Sequence, residues 1–142
     1  MATKADFSEE QWQTLVYSVL DAMAFVAFSN GTHFWETMKE ATATAKFLKR
    51  QAESSPSTLV RDLATGIGMK RDKKLTSEPA AMEAEVTGVL AEASKSVADV
   101  APEELDAYKA FILGVADAAA EASGAVDDSE QAAIDKIKAA LV

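Results

Sequence analysis

The first thirty residues constrain this chain more than any other stretch. Trp12, Leu15, Val16, Val19, Met23 and Val26 recur at helical spacing. Leu20, Phe25 and Phe28 widen that stripe until little polar face remains. A helix that is apolar nearly all round is stable in water only when other elements cover most of its circumference. The predicted helix is therefore central, and the rest of the chain must supply its cover. Its start is marked in "DFSEEQW". Ser8 is the N-cap, Gln11 its capping-box partner, and Phe7 and Trp12 form a hydrophobic staple across the cap. Asn30-Gly31 ends it, since both residues tolerate a left-handed backbone.

The cover is legible in the same periodicity. A second helix runs from Thr32, with Phe34, Met38, Ala41, Ala45 and Leu48 as its packing seam and Lys46, Lys49 and Arg50 on its outer face. Pro56 suits the first position of a third helix, whose apolar face is Leu59, Val60, Leu63 and Ile67. "GMKRDKKLTS" is a loop. A fourth helix opens between Ser77 and Pro79 and shows Met82, Val86, Val89, Leu90, Ala93 and Val97. Pro102, Glu103 and Glu104 begin a fifth, with acids at the positive end of its dipole. Leu105, Tyr108, Ile112, Val115 and Ala119 line it as far as Gly124. Asp127 caps a last helix, Glu130 completes the capping box, and Ile134, Ile137 and Leu141 form its apolar face.

No segment alternates with period two, so no sheet is expected. The prediction is an all-α fold: a compact bundle of six to seven helices. It forms one domain over residues 1–142, with residues 1–7 a flexible N-terminus. A chain of this length buries roughly 70% of the surface it would expose unfolded. Placing Gly31 over Gly124 aligns the two ends of the sequence. Each reads as a long apolar helix, a polar residue plus glycine, a capped turn with an acid, and an amphipathic helix. The fold is thus expected to contain a pseudo-twofold pair of helical hairpins, with the middle helices packed between or around them.

Charge and residue inventory narrow the function. The net charge of −9 is unevenly placed: residues 1–75 sum to +1 and residues 76–142 to −10. An acidic half repels nucleic acid and anionic membranes and favours cations or basic partners. The basic run Lys70 to Lys74 is broken by Asp72 and reads as a solvated loop. Val19 to Phe28, the longest apolar run, is interrupted by Asp21 and too short for a bilayer, and the N-terminus lacks the apolar core of a signal peptide. A cytoplasmic protein is expected. Asp21 itself lies either on a narrow exposed strip of the first helix or inside it with a partner.

There is no cysteine and one histidine, His33, flanked by Phe34 and Trp35. Thiolate chemistry is excluded, and no serine lies in a nucleophile-elbow context. His33 reads as a helix-start residue. The chain is therefore expected to be non-enzymatic.

The segment "AEASGAVDDSEQAAI", Ala120 to Ile134, carries the remaining chemistry. Hard cations need several convergent oxygens, and Glu121, Ser123, Asp127 and Glu130 are the candidate ligands for a divalent cation here. As a standard calcium loop the segment fails, because Ala119 stands where the first ligand should be. Helix capping by Asp127 and Glu130 explains the same residues without an ion.

The same segment resembles the A-x-A-D-G-x-(I/V)-x-x-x-E signature of the tellurite-resistance TerB-like family. Length, helix order and the repeated glycine corner agree with that family over residues 8–142. The resemblance implies an all-helical, internally duplicated domain, associated with stress responses and suspected of metal binding. It assigns site roles to Gly124, Asp127 and Glu130, and by the repeat to Asn30, Gly31 and Glu36. The expected function is a stress-associated acidic domain that binds a partner protein and a divalent cation. Two alternatives stay open. One is a bundle that takes an apolar small ligand among Phe25, Phe28, Trp35 and Met38. The other is a structural module that forms a homodimer through its first helix.

Overall fold

The computed structural model describes residues 3–28, 34–66, 79–121 and 128–141, excepting the side chains of 27, 28, 34–43, 79 and 129. Among the described residues run six α-helices and no strand: α1 (Glu9–Phe28), α2 (Phe34–Ser54), α3 (Thr58–Gly66), α4 (Pro79–Val100), α5 (Leu105–Glu121) and α6 (Asp128–Ala140). A 3-10 turn, Lys4–Asp6, precedes α1, and another, Pro102–Glu104, feeds directly into α5. The predicted all-α bundle is the observed fold.

The start of α1 is built as its sequence implies. The Ser8 amide donates to Gln11 Oε1 at 2.9 Å and the Gln11 amide donates back to Ser8 Oγ at 3.1 Å. A cap of this kind is worth about 1 kcal/mol. Phe7 and Trp12 meet across it with ring centroids 6.0 Å apart, and both are buried. The Lys4 amide donates to Asp62 Oδ2 of α3 at 3.0 Å, so the staple and this bond dock the turn.

Helix α1 is central. It packs most extensively on α4 and α5 and also touches α2, α3 and α6. One hydrophobic cluster draws on all six helices, and α1 supplies Trp12, Leu15, Val16, Val19, Ala22, Phe25 and Val26 to it. The hairpins at the two ends are present as consecutive, contacting helices, α1 with α2 and α5 with α6. Each second helix also rests on the first helix of the other hairpin, α2 on α5 and α6 on α1. Helices α3 and α4 fill in against α2 and α1. No described helix is long and apolar enough to cross a membrane.

Two local expectations need correction. Ala45 is exposed, and the described part of the α2 seam runs through Thr44, Phe47 and Leu48 instead. The bulk of Phe47 and Leu48 sets the direction of that face, and Thr44 lies four residues before Leu48. Pro56 lies outside α3, because Ser57 takes the cap and accepts from the Val60 amide at 3.2 Å. A hydroxyl that satisfies a free amide is a better helix start than a proline that merely lacks one.

The approach of α2 to α5 depends on Gly114. A Cβ there would lie 2.5 Å from Phe47 Cζ, and the Phe47 ring is itself stacked on Phe111 with centroids 6.2 Å apart. Gly88, in the exposed face of α4, has nothing within 4 Å of the same position. The two glycines should therefore respond oppositely to alanine in urea unfolding. Gly88→Ala should stabilise by about 0.5–1 kcal/mol through helix propensity alone. Gly114→Ala should destabilise by about 1–2 kcal/mol through overpacking. In a Phe47→Ala background the Gly114→Ala effect should change sign.

Candidate functional site

Helix α5 ends at Glu121 and α6 opens at Asp128, on either side of the sequence segment that contains Gly124. Glu121 is the exposed last residue of α5, and Asp128 is the exposed first residue of α6. Glu130 stands two residues into α6 and is buried, 1% exposed. Ser123, Gly124 and Asp127 lie outside the described residues, as do Asn30, Gly31, His33 and the run Lys70–Lys74. Among the described residues no three histidine or acidic side chains gather closely enough to hold a metal ion. Of the four candidate ligands, the structure thus describes one on the surface and one in the interior. Glu130 is not a bare charge there, for it takes part in contacts within the fold.

One turn before Glu121, Asp117 adds an acid that the sequence reading passed over. It is exposed on the flank of α5, yet its carboxyl is held above the ordinary carboxylate range. Partial burial is the larger cause and the negative charge of Glu121 the second. Both acids stand near the carboxyl end of α5, where the helix dipole is negative and further negative charge is unfavourable. A cation placed against this end would relieve both repulsions. The spacing signal was available in the sequence, since residues four apart on a helix are neighbours.

The interior holds two more carboxylates, Asp21 and Glu104. Asp21 is 1% exposed, which removes the exposed strip as its setting; it lies inside and is partnered there. Glu104, read from sequence as a first-turn acid, is also buried and accepts a hydrogen bond from Ser57 Oγ. That hydroxyl also accepts from the Val60 amide, so one buried group ties the start of α3 to the turn before α5. Sequence spacing gives no hint of this contact, which joins residues 47 apart.

Between α1 and α5, Tyr108 OH and Ser18 Oγ lie 2.6 Å apart in full burial. Ser18 spends its single proton on the Leu15 carbonyl at 2.6 Å, so Tyr108 is the donor. Burial pushes the Tyr108 phenol well above its ordinary value. Tyr108 is a neutral structural donor. Of the residues named for an apolar ligand site, Phe25 is buried in the core, and the side chains of Phe28, Trp35 and Met38 lie outside the described residues.

No family model matches this chain, and neither does any curated protein or solved structure.

The raised Asp117 carboxyl has a stability consequence with a definite sign. Its folded form holds the proton more tightly than its unfolded form. The stabilisation from protonation is therefore complete below the unfolded carboxylate range and is lost as pH rises through the folded value. Asp117→Asn should raise the thermal midpoint near pH 7 and leave it nearly unchanged at about pH 3. Parallel melts at the two pH values check this.

Proposed function

We propose that this protein is a non-enzymatic, stress-associated helical domain of TerB-like type, which presents an acidic surface to a basic partner protein and holds a divalent cation at the Gly124 corner. The observation that carries the reading is the placement of charge. Residues 76–142 sum to −10. In that half Glu92, Asp99, Glu103, Asp106, Asp117, Glu121, Asp128 and Asp135 are all exposed. Of the four lysines there, Lys136 is already tied to Glu83 across α4 and α6.

A surface of one sign raises the encounter rate with an oppositely charged partner and repels like-charged ones. Nucleic acid and anionic membranes fall in the second group. The non-enzymatic part of the reading rests on the residue inventory, which offers no cysteine and one histidine. The stress association and the cation rest on the likeness of "AEASGAVDDSEQAAI" to the TerB-like signature. The strained acids at the end of α5 support a cation at the same corner.

Two measurements test the two halves of the proposal. For the partner, a fluorescein-labelled lysine-rich peptide is titrated with the protein and its anisotropy followed at low and physiological salt. Asp99→Lys, Glu103→Lys and Asp106→Lys together should weaken binding at least about tenfold and flatten its salt dependence. Equal affinity for the two proteins would end the reading. For the cation, chelator-stripped protein is melted with calcium, magnesium, manganese or zinc. An ion at about 100 times its dissociation constant adds roughly 2.7 kcal/mol. That should raise the midpoint by roughly 5–10 °C. The rise should vanish in Asp127→Asn, and no rise with any ion leaves the corner a capped turn.

A further inference from the structure

A groove of about 840 Å³ opens beside the first 3-10 turn, lined in part by Lys4, Phe7, Glu9, Glu10, Trp12 and Gln13. Phe7 and Trp12 give it an aromatic wall, their rings tilted by 50°. The Lys4 ammonium stands over the Trp12 ring, 6.0 Å from its centroid. Glu9 and Glu10 are exposed on the first turn of α1. Among the described residues, neither these two acids nor the Lys4 ammonium enters an ion pair. The Lys4 backbone is fixed independently of its side chain, by the hydrogen bond that its amide donates to Asp62 Oδ2. The ammonium can therefore leave the ring without undoing the turn.

We infer that this groove is a cation-recognition site, which takes a lysine or arginine side chain of the basic partner over Trp12 in the place that Lys4 fills in the free protein. The inference rests on the basic partner proposed above. An aromatic face attracts a cation through its quadrupole, and the free protein already places one there. The flanking carboxylates of Glu9 and Glu10 give the site the charge that a partner's cation requires. Lys4 is then an internal competitor: it keeps the ring covered and lowers the apparent affinity by the fraction of time it occupies the site.

The test uses the full chain with Trp35→Phe, which leaves Trp12 as the single tryptophan of two. The probe is the same lysine-rich peptide, followed by anisotropy and by Trp12 emission. Lys4→Met should raise affinity about 2- to 5-fold, the factor that an exposed cation–π contact is worth. Lys49→Met removes the same charge from the exposed face of α2, outside both the groove and the acidic half, and should leave affinity at the parent value. Trp12 emission should change as the peptide saturates. Equal gains from Lys4→Met and Lys49→Met would reduce the effect to net charge and overturn the inference, as would an emission unmoved at saturation. If the acidic triple variant loses the peptide while Lys4→Met changes nothing, this site falls and the acidic-surface reading stands. If the parent binds no peptide, both fall.

Discussion

Covering α1 is the constraint from which the rest of the architecture follows. Its Leu15, Val16, Val19, Ala22 and Val26 are at most 1% exposed, so neighbours must approach closely along much of its length. Small residues make that approach feasible: Ala93 on α4 and Ala116, Ala119 and Ala120 on α5 are all fully buried. Close packing of this kind tolerates few voids and few changes of volume. It also makes an unpartnered polar group costly. Ser18 lies within this packed face, and its bond with Tyr108 holds α1 and α5 in one register. A slip of one turn would bury the Tyr108 hydroxyl unsatisfied, at about 1–3 kcal/mol. The apolar contacts bring the helices together, and the polar pair selects their alignment.

The acids of this protein divide into two populations with different physics. Asp21, Glu104 and Glu130 are buried, at 1%, 6% and 1% exposure. A carboxylate in such a setting costs several kcal/mol unless hydrogen-bonded or paired. Glu104 shows how the cost is met, through a serine hydroxyl that sits at the start of α3. These residues hold the fold. The exposed acids of α4, α5 and α6 contribute little to stability and shape the field that an approaching molecule meets. Substituting the two populations should accordingly have separable effects, the first on folding and the second on association.

Much of the fold was legible because the signals were local. The Ser8–Gln11 box, the Phe7–Trp12 staple and the stripes of α3 through α6 each depend on residues within a turn or two, and they stand where spacing put them, except that Val89 of α4 is half-exposed and Ile67 lies outside the described residues. What escaped depends on contacts between segments distant in sequence. Glu104 at a helix start looks like an ordinary first-turn acid until Ser57 is brought against it. Asp21 looks like a candidate for a narrow polar strip until other helices close round α1. Thr44 and Ala45 are neighbours of similar size, and only the bulk of Phe47 and Leu48 decides which of them faces inward. The candidate cation corner was legible as composition, but a ligand set is a statement about convergence in space. Glu121 on the surface and Glu130 in the interior show how little adjacency in sequence implies about it.

On the reading proposed above, long-range and short-range recognition occupy opposite ends of this chain, and each lacks what the other supplies. The field of the acidic half extends over roughly a Debye length, about 8 Å at physiological salt. It draws in any basic molecule and discriminates weakly among them. The groove at Trp12 acts only on contact, and an exposed cation–π interaction on its own is worth about 0.5–1 kcal/mol. Such a contact cannot hold a partner, but it fixes where one cationic side chain must sit. A basic protein that satisfies both must carry diffuse positive charge together with one projecting lysine or arginine. That combination is far more selective than either requirement alone, because the two free energies add only when the geometry permits both at once.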